Sequence, residues 1–339
     1  MKPGLMVRNG LKQLVHGFQR PFMMMFETTL HCNMACEYCT VWSNDRNEKV
    51  MTKEQAFRRI DEAIDLGIFA LSFSGGEPLL NPNTADYIVY GADRGLFVSM
   101  PTNGLALKKY ASALQRLDLL EVSIDTLDAK KFAKRRGLDS LENIIEQLDF
   151  LIAHHSPRDI QLNAAVNLEN LDDLPALATF ADDRGIHLHT EAVHNVMRYG
   201  LMEGDGEMTP DEIRKVEMFL HQLKREHKSV RYYSYYYKFY RDGGFSRKFA
   251  CRSASHLINL KPDGTVQFPC AFVMKHRGNA DMTLQEIFKT PEVRSLIDQE
   301  TRGMWDFCKG CKIGCPFEVS LYTHPLLAIQ GTSDFWVDR

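Results

Sequence analysis

Strand and helix patterns alternate along the chain between residues 22 and 191. The apolar run FMMMFETTL predicts a first strand at 22–30. The next segment predicts an amphipathic helix, with Thr52 as N-cap, Gln55 closing a capping box and Gly67 as its stop. The two patterns repeat as predicted strands at 69–74, 96–101, 119–125, 160–167 and 186–191, with predicted helices near 83–93, 107–115, 140–155 and 171–183. Six such units, or nearly so, indicate parallel β/α winding.

Three of the predicted strands are apolar on one face only. In LLEVSID the other face carries Glu121, Ser123 and Asp125, and IQLNAAVN and IHLHTE alternate in the same way. A parallel sheet buried between two layers of helices would be apolar on both faces. The pattern therefore favours a partial (β/α)6 barrel whose interior holds a polar ligand rather than a packed core.

A three-cysteine motif follows the first predicted strand. Cys32, Cys36 and Cys39 form the pattern C-x3-C-x2-C at the strand's carboxyl end, where parallel β/α folds place their active sites. Three thiolates leave one metal position open, which is typical of catalytic sites. In a 4Fe–4S cluster, three cysteines would hold three irons and leave the fourth free for a substrate or cofactor. The alternative is a zinc site completed by His31 or a remote residue.

The other five cysteines all lie near the end of the chain. Cys251 and Cys270 flank a predicted hairpin with a PDG turn, and CKGCKIGC supplies Cys308, Cys311 and Cys315. A hairpin and helix of this size need a metal to fold alone, so the cysteines predict a small C-terminal metal module, for which structural zinc is one candidate. The predicted domains are an N-terminal helical extension at 1–20, a barrel at 21–195, a helical, tyrosine-rich bridge at 196–249 and the metal module at 250–339.

Composition narrows the class of protein. The net charge of −3 gives no indication of nucleic-acid binding, and no apolar run reaches the ~20 residues of a membrane span. The N-terminus lacks the features of an export signal, so we expect a cytoplasmic protein with reduced cysteines. A short amphipathic helix at 5–16 would cover the core or make peripheral membrane contact.

Two motifs together resemble a known family. CNMACEYC has an aromatic residue, Tyr38, directly before its last cysteine, and the second predicted strand ends in Gly75, Gly76, Glu77 and Pro78. This pairing resembles the cluster loop and the GGEP motif of radical S-adenosylmethionine (SAM) enzymes. The resemblance implies a TIM-like partial barrel, a 4Fe–4S cluster on the three cysteines and bound SAM.

The resemblance covers about residues 20–195 and implies roles for further residues. The GGEP segment would hydrogen-bond the SAM amine, with glycines that let the backbone approach closely. Tyr38 would lie near the adenine, and Ser123 and Asp125 would contact the ribose and the methionine carboxylate. The resemblance also implies cofactor contacts for Asn167 and for Thr102 and Asn103, whose TNG segment is a weaker match to the family. Strand-end capping or a satisfied polar core is the alternative for Ser123, Asp125 and Asn167.

The implied chemistry is one-electron cleavage of SAM to a 5′-deoxyadenosyl radical, which abstracts a hydrogen atom from an organic substrate. A small molecule, a lipid or a peptide would serve as substrate, and a flavodoxin or ferredoxin would supply low-potential electrons. The short segment before Cys32 modestly favours a substrate that is not a leader-bound peptide. The competing hypothesis is a non-catalytic iron–sulfur electron carrier or redox sensor, for which the GGEP motif would have no use.

The C-terminal cysteines resemble the SPASM/twitch extension of the same superfamily, which carries auxiliary 4Fe–4S clusters. Five cysteines imply one auxiliary cluster, and we expect Cys251, Cys270, Cys308 and Cys311 to bind it. Cys315 would then be an alternative ligand, a buried thiol or a catalytic hydrogen-atom donor. The donor role would make the enzyme an epimerase, whereas full ligation of the cluster would suit net oxidation of the substrate.

Overall fold

The computed structural model describes most of the chain between residues 20 and 320. Three predicted features, namely the helix at 5–16, Cys308 and Cys315, lie outside the described residues. The described residues are 20–39, 41, 48–192, 196–197, 200–201, 208–232, 234–247, 249–303, 305–306, 310–312, 314 and 319–320.

One curved sheet of ten strands organises the described part of the chain. Its order is β12-β11-β10-β1-β2-β3-β4-β5-β6-β9, and a separate short pair, β7 and β8, follows β6 in sequence. Neighbours from β10 through β1 to β6 and β9 are parallel, while β11 and β12 are antiparallel additions. The strands are β1 Met23–Thr29, β2 Ala70–Gly75, β3 Phe97–Thr102, β4 Leu119–Ser123, β5 Ile160–Val166, β6 His187–Ala192, β7 Val196–Met197, β8 Gly200–Leu201, β9 Val230–Arg231, β10 Leu257–Leu260, β11 Val266–Pro269 and β12 Met274–Gly278.

Helices connect the strands. They are α1 Lys53–Leu66, α2 Thr84–Asp93, α3 Leu107–Leu114, α4 Ala129–Arg136, α5 Leu141–His154, α6 Leu174–Arg184, α7 Pro210–Glu226, α8 Ser234–Arg241, α9 Ser253–His256, α10 Leu284–Ile287 and α11 Pro291–Thr301, with 3₁₀ turns at Pro78–Leu80 and Leu168–Asp173. The capping box predicted at Thr52 is confirmed, and Thr209 and Thr283 form two further capping boxes. Among the described residues, no helix is long and apolar enough to span a bilayer.

The six predicted strands and the five predicted helices between them are confirmed, and the sheet stays open between β9 and β12 in the described part of the chain. The partial α/β barrel expected from the sequence is therefore correct. Helix α4 was not predicted, because only Phe132 within it is a large apolar residue and the segment is strongly basic. Asp128 caps its first turn, and Gly137, in the left-handed region at φ 71°, ends it.

The two faces of the sheet differ as the alternation predicts. Side chains such as Leu71, Val98 and Leu162 are fully buried in one apolar core beneath the helices. The concave face instead carries polar residues at the alternate positions, including Ser72, Ser99 and Gln161. The barrel interior is therefore a polar surface that opens at the carboxyl ends of the strands.

The C-terminal hairpin continues this sheet. Strand β10 pairs in parallel with β1, with Met23 opposite Leu257 and Phe26 opposite Leu260. The guanidinium of Arg59 on α1 donates to the carbonyl oxygens of Gly264, at 3.1 Å, and Ala280, at 2.6 Å. Barrel and hairpin thus share backbone hydrogen bonds as well as side-chain contacts.

Candidate functional site

The three-cysteine loop leaves the end of β1 and is tied to it by a carboxylate. Glu48 accepts hydrogen bonds from the Thr29 hydroxyl and from the Leu30 backbone N–H, the latter at 2.7 Å. Within the loop, the Cys39 N–H donates to the Cys36 carbonyl oxygen at 3.1 Å. All three cysteines are free and partly buried. The loop therefore presents three thiols from a backbone held at its origin.

Burial disfavours the thiolate form of Cys32 and Cys36. With smaller contributions from the nearby Glu77, Cys36 and Cys39, burial raises the pKa of Cys32 to about 11. Burial also raises the pKa of Cys36, although the nearby Arg136 guanidinium opposes the shift. Binding of a metal needs thiolates, so cluster assembly must displace these protons and should proceed more readily at higher pH.

Gly75 and Gly76 lie directly against the residues that lead into the loop. A Cβ on Gly75, whose φ is 133°, would lie 2.1 Å from the Thr29 carbonyl oxygen, and one on Gly76 would lie 1.9 Å from that of His31. The Gly76 N–H donates to Thr29 at 2.8 Å, and the Glu77 N–H donates to His31 at 2.7 Å. Only glycine permits this contact, which fixes the loop relative to β2.

Glu77 holds the end of β3 rather than projecting into the barrel. One carboxylate oxygen accepts from the Thr102 hydroxyl at 2.8 Å and from the Leu79 N–H at 3.1 Å, and the other accepts from the Asn103 N–H at 2.7 Å. Its side chain is 3% exposed, and burial raises its pKa. The carbonyl oxygen of Pro78 accepts from the Thr84 hydroxyl at 2.7 Å.

Asn103 reaches the cysteine loop directly. Its side-chain amide donates to the Asn33 side chain at 2.7 Å, while its own oxygen accepts from the Leu105 N–H at 3.1 Å. Thr102 and Asn103, expected to contact the cofactor, thus connect the GGEP turn to the cysteine loop. Asn33 was not singled out from the sequence, because a polar residue between cysteines carries no distinctive pattern.

Asp125 lies two residues beyond β4 and is fully buried. Its carboxylate accepts from the Tyr38 hydroxyl at 2.9 Å and from the Ala165 N–H at 2.9 Å. Arg136 pairs with both oxygens, with Nη2 at 2.8 Å and Nε at 2.7 Å. Asp125 and Tyr38, expected separately at the cofactor, are therefore bonded to each other.

Helix α4 completes the support of the loop. The Arg135 carbonyl oxygen accepts from the Glu37 N–H at 3.0 Å, and a Cβ on Gly137 would lie 2.4 Å from the Ala35 carbonyl oxygen. The guanidinium of Arg136 lies 4.0 Å from the Cys36 sulfur. Arg135 and Arg136 were not identified from the sequence, because the Asp128–Gly137 pair of helix caps indicates the helix but not the contacts of its last turn.

Ser123 and Asn167, which were also predicted to contact the cofactor, lie in different surroundings. Ser123 is the last residue of β4 and is partly exposed on the concave face. Asn167 caps the 3₁₀ turn after β5, where its side-chain oxygen accepts from the Glu169 N–H at 3.2 Å and Asn170 completes a capping box. The structure thus gives Asn167 a capping role, while Ser123 faces the barrel.

The concave face carries titratable groups on β4, β6 and β9. Burial raises the pKa of Glu121 and of Glu191 to about 7 each. Gln161 donates to Glu121 at 3.2 Å and accepts from Arg231 at 3.0 Å. Burial lowers the pKa of His189 to about 4, which keeps that imidazole neutral near pH 7. This wall can offer hydrogen-bond acceptors and neutral acids to a bound substrate.

The cysteine loop fits a cluster in its chemistry. It offers three soft thiol ligands on a backbone tied to β1, β2 and α4, which suits an iron–sulfur group. Among the described residues, no three Cys, His, Asp or Glu side chains converge closely enough to share one metal ion. A 4Fe–4S cluster needs less convergence, because each thiolate binds a different iron.

Two of the three described C-terminal cysteines, Cys251 and Cys311, lie near a cavity of about 350 Å³. Cys251 lines this cavity together with Phe245, Trp305 and Glu300. The Cys311 carbonyl oxygen accepts from the Phe245 N–H at 2.9 Å, so Cys311 adjoins one wall. Cys270 follows β11 and is 4% exposed, and its sulfur accepts from the Val273 N–H at 3.3 Å.

Comparisons with known proteins agree with this architecture. Residues 26–181 match the Radical SAM superfamily. The chain is 26% identical over 325 residues to an AdoMet-dependent heme synthase of Methanosarcina barkeri, covering 87% of this chain and 91% of the relative.

Two solved structures share the fold. SuiB of Streptococcus suis, bound to its precursor peptide SuiA, aligns with a TM-score of 0.68 at 17% identity, over 85% of this chain and 69% of SuiB. The enzyme anSMEcpe, with bound AdoMet and a peptide, aligns with a TM-score of 0.64 at 17% identity, over 92% of this chain and 99% of that one. The radical SAM match spans residues 26–181, which contain the cysteine loop and the glycine pair, so this part of the chain is a radical SAM domain.

Proposed function

We propose that the chain holds a 4Fe–4S cluster on Cys32, Cys36 and Cys39, cleaves SAM reductively and abstracts a hydrogen atom from an organic substrate on the concave face of the sheet. The packing of the cysteine loop against Gly75 and Gly76, at the end where the polar barrel interior opens, is the observation that carries this proposal. When bound, the cluster and SAM supply one-electron chemistry and hydrogen abstraction, and the protein supplies binding and orientation.

Different residues of the chain would bind and orient the cluster and SAM. The backbone of Gly75 and Gly76 allows a close approach for the SAM amine. Tyr38 offers an aromatic ring beside the loop, and Ser123 offers a hydroxyl at the end of β4. Asp125 acts through its contacts, because its oxygens already bind Tyr38 and Arg136.

The concave face favours a substrate that donates hydrogen bonds, such as a peptide or an amine-bearing molecule. Glu121 and Glu191 supply carboxyl oxygens there, while the Arg231 guanidinium is paired with Asp159 at 2.8 Å. A substrate rich in carboxylates or phosphates would meet repulsion from this wall above about pH 7, where Glu121 and Glu191 are ionised. The peptides bound by SuiB and anSMEcpe agree with this preference, although a cofactor precursor or lipid with exposed donors would also satisfy it.

The C-terminal cysteines are proposed to hold one auxiliary 4Fe–4S cluster through Cys251, Cys270, Cys308 and Cys311. The cavity that Cys251 lines, with Cys311 beside its wall, supports a group of that kind in this region. Structural zinc is the alternative. Full ligation of the cluster suits electron acceptance and substrate oxidation, whereas a free Cys315 suits hydrogen donation in an epimerase.

Iron and sulfide analysis with electron paramagnetic resonance (EPR) tests these assignments on anaerobically reconstituted protein. The wild type should hold two clusters and a Cys32→Ala/Cys36→Ala/Cys39→Ala variant one. A wild type with one cluster beside a variant with none would assign the C-terminal cysteines to zinc or to no metal.

The same preparations separate an enzyme from an electron carrier. With dithionite, or with reduced flavodoxin, the wild type should convert SAM to 5′-deoxyadenosine, and the triple variant should produce none. Reduction of both clusters without any 5′-deoxyadenosine, even with candidate peptide substrates present, would favour the electron carrier.

A further inference from the structure

The end of helix α4 contacts the cysteine loop. No motif in the sequence predicts these contacts. Its last residue, Arg136, is 7% exposed and pairs with Asp125 through two nitrogens, at 2.7 and 2.8 Å. A third nitrogen, Nη1, lies 4.0 Å from the Cys36 sulfur. One guanidinium therefore contacts a carboxylate and a predicted cluster ligand together.

The same carboxylate holds the loop on its other side. Tyr38, two residues after Cys36, donates its hydroxyl to Asp125 at 2.9 Å. The ring of Tyr38 lies 5.5 Å from the Arg136 guanidinium carbon, within the range of a cation–π contact. Cys36 and Tyr38 thus both contact the buried ion pair of Asp125 and Arg136.

The packing of α4 against the loop does not by itself explain why the charged side chain of Arg136 is buried. The neighbouring Arg135 already joins the helix to the loop and to β5, through its carbonyl bond with Glu37 and its guanidinium bond to Ala165 at 3.1 Å. Gly137 makes the close backbone contact with Ala35. A buried charge is costly to maintain, and here its third nitrogen is directed at a cluster ligand.

We propose that Arg136 is a positioning residue that fixes Cys36 through Asp125 and Tyr38, and whose charge beside the Cys36 sulfur raises the reduction potential of the cluster bound to the loop. This inference rests on the cluster assignment made under the proposed function. Reduction adds one electron, supplied by dithionite or flavodoxin, and thus one negative charge to the cluster. A guanidinium at the sulfur stabilises the reduced form more than the oxidised form.

Potentiometric titration followed by EPR tests the proposal on reconstituted protein. Arg136→Gln should lower the midpoint potential of the three-cysteine cluster, while Arg136→Lys retains most of the wild-type value. We expect about a tenfold lower ratio of reduced to oxidised cluster in Arg136→Gln at the wild-type midpoint, which is about 59 mV for a one-electron couple. Lys134→Gln is the matched control, because it removes an exposed charge from the same helical turn and should leave the midpoint unchanged.

A second variant covers the case in which Arg136→Gln does not fold around Asp125, whose remaining cation, Arg135, lies 3.8 Å away. The double variant Asp125→Asn/Arg136→Gln removes both charges of the pair and should show a smaller fall in potential, because the negative charge of Asp125 is lost together with the guanidinium. Unchanged potential in a cluster-loaded variant, with weaker SAM binding, would overturn the proposal and assign Arg136 to the cofactor. A wild type with no cluster on the three cysteines would instead refute the proposed function itself.

Discussion

Gly76 is the glycine at the site where an added side chain would clash most severely. A Cβ placed there would lie 1.9 Å from the His31 carbonyl oxygen and 2.3 Å from its carbon, both of them backbone atoms in the path from β1 to Cys32. Backbone atoms cannot rotate away as a flexible side chain can. Gly76 therefore fixes the distance between the GGEP turn and the cysteine loop.

Gly76→Ala should displace the cysteine loop. We expect a lower melting temperature and a loss of most of the iron bound at Cys32, Cys36 and Cys39, because the loop must move by more than an ångström to accept the methyl group. Thermal unfolding and iron analysis of the reconstituted protein measure the two effects.

Gly185→Ala provides the comparison for backbone strain without a clash. Gly185 ends α6 at φ 62°, and a Cβ there would have no heavy atom within 4 Å. This variant should lose about 1–2 kcal/mol of stability and keep its iron. Equal iron contents in the two alanine variants would contradict the role assigned to Gly76.

Single residues also mark the limit of sequence reasoning. The three cysteines and the glycine pair carry recognisable spacings, and the structure brings them together. Asp125 was expected to face the cofactor by strand alternation, but β4 ends at Ser123 and alternation no longer holds beyond it. Its partner Arg136 is brought to it by the fold of α4, which local sequence spacing does not reveal.

Strands β4 and β6 carry their polar faces into the barrel, as the alternation predicted. Burial raises the pKa of Glu121 and Glu191 from 4.5 to about 7. The folded state therefore binds more protons than the unfolded chain between pH 4.5 and pH 7. Stability contributed by these two groups falls as pH rises through that window, and the full penalty is present above pH 7.

Glu191→Gln should stabilise the protein at pH 8 and have little effect at pH 5. The amide removes the cost of a buried charge, which amounts to about 1–3 kcal/mol at pH 8 after allowance for the partial exposure of this side chain. Denaturant unfolding at the two pH values measures the difference. The exposed Glu142→Gln is the control, and an equal effect of Glu191→Gln at both pH values would rule out the raised pKa.

Strand and helix periodicity predicted most elements but not their junctions. Helix α6 begins at Leu174 rather than 171, because Asn167 caps a 3₁₀ turn that takes up Leu168–Asp173. Helix α4 was missed because it has few apolar residues and is stabilised through the loop it supports. Elements whose stability comes from tertiary contacts leave a weak periodic signal.

Across the fold as a whole, the C-terminal segment is joined to the barrel more closely than a separate metal module would require. Strand β10 extends the sheet beyond β1, and Arg59 links the hairpin turn to α1. The sequence could not predict this, because pairing between strands more than 200 residues apart depends on the assembled barrel. The region around Cys251 thereby keeps a fixed position relative to the strand that leads to Cys32.

A buried ion pair tests how much this junction contributes to stability. Lys261, directly after β10, lies 2.7 Å from Glu27 on β1, and both side chains are almost fully buried. Lys261→Met should cost about 3–5 kcal/mol in the free energy of unfolding, because a buried carboxylate loses its cation. Glu27→Gln/Lys261→Met should recover most of that loss. Arg302→Met, which breaks an exposed pair with Asp298, should cost less than about 1 kcal/mol. A small effect of Lys261→Met in denaturant unfolding would mean that β10 separates from β1 without unfolding the barrel.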